Sequence, residues 1–138
     1  MRLSGQWFNE LGSKMVLTVN RNEVHGKYHT AVGDTKGKYH LVGRTDTCGK
    51  PSQSVGFVVC WQNKYKNSNS VTTWCGQLQK IDGKEVITTT WLLNRETEPP
   101  DNWESTLVGK DIFTRNKPDP KSIQKLKKLK GMSHPGKA

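Results

Sequence analysis

The sequence predicts an all-β fold, an eight-stranded antiparallel up-and-down β-barrel with a short basic C-terminal tail or helix. Three observations carry that expectation. Segments rich in β-branched and aromatic residues alternate in polarity along the chain. Residues with turn chemistry separate them at short intervals, so consecutive segments are antiparallel neighbours. Hydrophobic content is 32%, which suits the single inner surface of a barrel better than two packed layers. Closure also removes the unpaired edges of an open sheet.

The strands are expected at residues 5–11, 14–20, 24–30, 38–45, 54–64, 70–79, 84–93 and 106–115. Leu11-Gly12-Ser13 and Asn20-Arg21-Asn22 read as tight turns, and Gly33-Asp34-Thr35-Lys36-Gly37 as a longer loop. Asp82-Gly83 is a strong two-residue hairpin signal, because both residue types tolerate positive φ. Pro99-Pro100 ends any strand before Trp103. Beyond the barrel, Ile123, Leu126 and Leu129 recur among lysines, so residues 121–130 read as a short amphipathic helix or tail. The domain reading is therefore a barrel over 1–116 and a basic tail over 117–138.

The net charge of +10 is unevenly placed. Residues 117–138 hold seven Lys and one Asp, a net +6, which leaves +4 for residues 1–116. A nucleic-acid partner calls for a basic stripe across the fold; charge gathered in a terminal segment reads as a solvated tail. No run approaches the ~20 apolar residues of a membrane helix. The first residues, MRLSGQW, show no signal peptide, so a secreted protein of this sequence is expected to be the mature form. The expected partners therefore exclude nucleic acid and membrane, and secretion is the expected localisation. The three cysteines, Cys48, Cys60 and Cys75, are an odd number without a C-x-x-C pair, and the four histidines lack metal-site spacing. No metal, no cofactor and no enzymatic activity are expected, since no nucleophile sits beside a base.

Five Trp in a small polar chain point to a core or a pocket. Strand side chains alternate faces. On that parity Ser70, Thr72 and Trp74 share one face of the sixth strand, Trp91 and Leu93 agree in the seventh, and Gly109, Asp111 and Phe113 agree in the eighth. Trp7, Asn9 and Leu11 agree in the first strand, as do Tyr28 and Thr30 in the third. Each strand thus adds a hydrogen-bonding residue to an apolar or aromatic one. A buried polar group without a partner costs ~1–3 kcal/mol, so this mixture suits a polar-headed small ligand better than a plain core.

These residues stand in the strings GQWFNELGSKM, GKYHTAVGD, WQNKYKNSNSVTTWCGQ, TTTWLLN and WESTLVGKDIFT. Together, in this order, they resemble the avidin/streptavidin family of biotin-binding proteins over residues 4–116. The resemblance implies a high-affinity, non-covalent biotin site that sequesters the vitamin. Asn9, Ser13 and Tyr28 would donate to the ureido oxygen. Thr30 and Asp111 would accept the ureido N–H groups, and Thr72 would face the thioether sulfur. Ser68, Ser70 and the backbone N–H at Asp34 would meet the carboxylate. Trp61, Trp74 and Trp91 would wall the ring system, with Leu11, Val32 and Leu93 completing the lining. Trp103 would reach into a neighbouring subunit's pocket, which implies a homotetramer, with a dimer as the smaller alternative. Trp7 is expected at the barrel floor, and Cys60 and Cys75 on the outer face. A lipocalin-like carrier of an apolar ligand is the alternative, since Gly5-x-Trp7 also fits the opening of that group.

Overall fold

The computed structural model describes residues 2–31, 35–46 and 51–121. Val32, Asp34, Cys48 and almost all of the anticipated helix at 121–130 lie outside the described residues. Eight strands form a closed antiparallel barrel in sequence order. They are β1 (Gly5–Phe8), β2 (Lys14–Asn20), β3 (Glu23–His29), β4 (Lys38–Thr45), β5 (Gln53–Gln62), β6 (Asn67–Ile81), β7 (Lys84–Arg95) and β8 (Thr106–Thr114). Short 3₁₀ turns at Thr35–Gly37 and Pro99–Glu104 interrupt two of the connections. The up-and-down topology follows from the turns, and the expected fold class is the observed one.

Several strand ends differ from the sequence reading. β1 stops at Phe8 instead of Leu11. The Asn9 side chain explains the break: its Oδ1 accepts from the backbone N–H of Leu11 at 3.1 Å and of Ser13 at 2.9 Å. A side chain that satisfies nearby backbone donors competes with strand pairing, and Gly12, at φ 88°, takes up the resulting left-handed conformation. At the other extreme, β6 begins at Asn67, ahead of the expected 70. It pairs with β7 from Ser70↔Arg95 to Ile81↔Lys84. Asp82 and Gly83 close that hairpin with φ of 52° and 77°, the doubly positive geometry their identities predict.

Alternation of polarity decides which face turns inward. Trp7, Tyr28, Phe57, Trp74, Ile87 and Phe113 are all buried in one continuous core. Their sequence neighbours Val58, Thr73, Cys75, Thr88 and Ile112 face outward or are only half-buried. Cys60 and Cys75 are exposed free thiols on the outer face, as expected from their position next to inward Trp residues.

The two ends of the barrel differ. At the floor, Trp7 is fully buried and its Nε1 donates to the Leu3 carbonyl at 2.7 Å. The Arg115 guanidinium lies 3.6 Å over the Trp7 ring. At the mouth, the β3–β4, β5–β6 and β7–β8 connections come together.

Candidate ligand-binding site inside the barrel

The strand register builds the interior in ranks. One rank crosses β5 to β8 as Phe57, Trp74, Trp91 and Gly109. The rank toward the mouth holds Val59, Thr72 and Leu93, and the rank toward the floor holds Val55, Gly76, Thr89 and Asp111. Depth is therefore set by register, and register by the hairpin turns. Gly109 is required at its place: a Cβ there would fall 2.2 Å from Cζ2 of Trp91, so the indole packs directly against the backbone of β8.

Aromatic rings form the walls. Trp74 stacks between Phe57, at 5.0 Å and 17°, and Tyr28, at 5.3 Å and 29°. Trp61 meets Tyr28 edge-on at 5.4 Å and Tyr39 at 5.0 Å. Offset stacking and edge-to-face contacts are the geometries that aromatic quadrupoles favour. Phe57 and Tyr39 extend the wall beyond the residues singled out in the sequence. Their signal was present, since Phe57, Val59 and Trp61 alternate along one strand and Tyr39 and Leu41 along its neighbour.

The polar groups converge on these rings. Asp111 is 2% exposed, and its Oδ2 accepts from Trp74 Nε1 at 3.0 Å. A buried carboxylate is tolerable when hydrogen bonds replace lost water. Asn9 is pinned by its turn, because the oxygen is committed to Leu11 and Ser13 while Nδ2 donates to the Tyr28 hydroxyl at 3.3 Å. Glu10, in the same turn, accepts from the Ile112 N–H at 2.9 Å and so fastens the β1–β2 turn beside β8. Tyr28 has its pKa raised well above 10, first by burial and then by the nearby Asp111 charge, with a Ser13 hydrogen bond partly offsetting both. Its hydroxyl stays protonated, and hence a donor, at physiological pH.

Toward the mouth, hydroxyls line β6. Thr72 Oγ1 accepts from Trp61 Nε1 at 2.7 Å. Ser70 Oγ donates to Ser68 Oγ at 3.4 Å, and Ser68 Oγ to the Trp61 carbonyl at 3.2 Å. The buried Trp91 Nε1 has no acceptor among the described residues. An orphaned donor of this kind calls for an explanation, and a bound ligand is one.

Of the sixteen residues expected from the sequence, Asn9, Leu11, Ser13, Tyr28, Trp61, Ser70, Thr72, Trp74, Trp91, Leu93 and Asp111 are buried in the barrel. Thr30 and Ser68 are half-buried at the mouth end. Trp103 stands apart: it is 81% exposed on the 3₁₀ turn Pro99–Glu104 and belongs to no wall of its own chain's barrel. Val32 and Asp34 lie outside the described residues. The interior is richer in buried donors and acceptors than a lipocalin-like carrier of an apolar ligand would need.

Comparison with known proteins identifies the family. The family model described as the Avidin family matches residues 1–116. Avidin of Gallus gallus is 41% identical over 121 residues, covering 82% of this chain and 77% of that protein. Avidin-related protein 7 of Gallus gallus is 38% identical, covering 83% of this chain and 78% of its own. Fibropellin-1 of Strongylocentrotus purpuratus is 32% identical over 82% of this chain and 11% of its own length. Barrel topology, ring-lined interior and sequence thus converge, and the chain belongs to the avidin family.

Proposed function

We propose that this protein binds biotin non-covalently inside the barrel, without chemical turnover, and acts as a secreted biotin-sequestering homotetramer. Membership of a biotin-binding family supports the ligand. The observation that carries the site is the cluster of Asn9, Ser13, Tyr28 and Asp111, buried among Trp61, Trp74 and Trp91. On this reading, Asn9 Nδ2, Ser13 and protonated Tyr28 serve as donors to the ureido oxygen. Asp111, with Thr30, accepts the ureido N–H groups, and a charge-assisted bond of this type is roughly twice as strong as a neutral one. Trp74 holds Asp111 in place from behind. Thr72 faces the sulfur, while Ser68, Ser70 and the Asp34 N–H receive the carboxylate. A site built in advance spares the ligand much of the ordering cost of binding.

Exposed apolar residues on the outer face of β6 to β8 support the oligomer. Leu92 and Val108 are paired in register, at 51% and 66% exposure, and Ile112 is 49% exposed. Exposed apolar residues gathered on neighbouring strands, here with Thr90 and Lys110 between the Leu92–Val108 pair and Ile112, favour association. Trp103, exposed on its 3₁₀ turn, is the residue expected to complete a neighbour's pocket.

Titration with biotin, following tryptophan emission, melting temperature and particle mass together, tests the proposal. The expected result is quenching that saturates at one biotin per chain, a tetrameric mass, and a melting temperature that rises with ligand. No response to biotin would overturn the ligand; full-affinity binding by a monomer would remove Trp103 from the site.

A further inference from the structure

The barrel wall has a split at its mouth. The Cα pairing of β4 with β5 runs from Thr45↔Val55 to Leu41↔Val59 and stops there among the described residues. Beyond it, Lys38, Tyr39 and His40 stay paired to β3, while Cys60 and Gln62 stay paired to β6. The β5–β6 register also shifts between Cys60 and Gln62. Trp61 thus sits on a strand end that has left one neighbour and pairs irregularly with the other.

Asn63 spans this split. Its Nδ2 donates to the carbonyl of Lys36 at 2.9 Å and to that of Lys38 at 2.8 Å. Its Oδ1 accepts from the backbone N–H of Tyr65 at 2.9 Å and of Lys66 at 3.0 Å, and its own N–H donates to the Lys66 carbonyl at 2.9 Å. A carboxamide offers two donor hydrogens and one acceptor oxygen; here all are used, the oxygen within its own hairpin and the nitrogen across the gap. The two cross-gap bonds stand where ladder bonds between β4 and β5 would otherwise continue.

We infer that Asn63 is a positioning residue that fixes the Trp61 wall by bridging the ends of β4 and β5. Tyr39 follows the bridged carbonyl of Lys38 directly, and it meets Trp61 edge-on at 5.0 Å. Without the bridge the two strand ends separate, and Trp61 loses the Tyr39 support that keeps its indole directed at Thr72. The inference rests on the biotin reading for its functional consequence, because Trp61 is a wall of that site. The consequence is kinetic. A wall that opens more often lets a bound ligand escape, whereas the closed geometry that captures it is unchanged.

Asn63→Asp separates the two halves of the residue, since a carboxylate keeps the acceptor for Tyr65 and Lys66 but has no hydrogen to give across the gap. The control is Asn22→Asp, because Asn22 Nδ2 makes a comparable bond to the Thr45 carbonyl at 2.8 Å at the floor end of β4. Biotin association and dissociation rates are measured on the full chain, with backbone amide exchange of residues 38–41 in the free protein. We expect Asn63→Asp to release biotin roughly tenfold faster, as loss of one to two net hydrogen bonds would give, with an association rate within about twofold of wild type. Exchange at 38–41 should quicken, and Asn22→Asp should release biotin like wild type. If wild type binds biotin and Asn63→Asp releases it no faster, or no faster than Asn22→Asp does, the positioning role is wrong. If wild type does not bind biotin, the ligand assignment fails instead, and unchanged exchange at 38–41 then also removes the bridge.

Discussion

The barrel's hydrogen-bonded ladder runs thin in two places, and side chains span each. Between β4 and β5 at the mouth, the neutral amide of Asn63 reaches two carbonyls. At the floor, among the described residues, one Cα pair, Phe8↔Thr114, joins β1 to β8. There Arg115 donates to the carbonyls of Arg2, Ser4 and Gln6, pairs with Glu85 at 3.1 Å and covers the face of Trp7. The guanidinium fork suits the floor because it bonds several carbonyls and stacks on an indole at once. Gly5, at φ 114°, has no side chain to obstruct it, and a Cβ there would lie 3.0 Å from Arg115 Nη1. On the proposed reading the mouth bridge holds the Trp61 wall, whereas the floor contacts close the barrel itself. Substitutions in the interior above the floor should therefore act on binding, and those at the floor on folding.

The largest effect expected from this division is at Asp111. Asp111→Ala should weaken biotin binding by ~2–5 kcal/mol, since ligand and Trp74 N–H groups both go unpaired; an unchanged dissociation rate would remove Asp111 from the site. Next comes the floor. Arg115→Ala should lower unfolding stability by ~2–4 kcal/mol through loss of the carbonyl bonds and the Trp7 contact. Denaturant unfolding reads that loss, and a biotin affinity weakened by the same free energy would erase the distinction between the two ends.

The smallest effect lies on the outer wall. His29 has its pKa lowered from the ordinary histidine value, first by burial and then by Lys14, Lys38 and Lys27. A depressed histidine contributes stability above its unfolded pKa of about 6.5 and loses it as pH falls through the lower folded value. His29→Gln should therefore flatten the fall in melting temperature between pH 7.5 and pH 5 without changing biotin stoichiometry. A wild-type melting temperature that rises on acidification would show the sign to be wrong.

Much of this was legible in the primary structure. Alternation assigned inner and outer faces to Trp74 and Cys75, and to Trp91 and Leu92, because the period of a strand is fixed by its pleat. The Asp82-Gly83 turn was legible for the same local reason, as backbone sterics restrict positive φ to a few residue types. The end of β1 was not legible. It depends on Asn9 turning its oxygen back onto Leu11 and Ser13, a choice between two satisfied states of the same chain.

What the sequence determined by itself was therefore everything set by period and local sterics: eight antiparallel strands, their inward faces, and an interior of indoles mixed with hydroxyls, an amide and a carboxylate. What the tertiary structure decided was everything that depends on register between strands distant in sequence. Asp111 lies one rank below Trp91 and bonds Trp74, residues 37 apart along the chain. Arg115 seals the chain's two barrel ends together, and Asn63 reaches Lys36 and Lys38 across a gap that exists only because β4 and β5 part. No local signal marks these partners, because a hydrogen bond between remote segments is specified by the closed barrel that brings them within 3 Å, not by either segment alone.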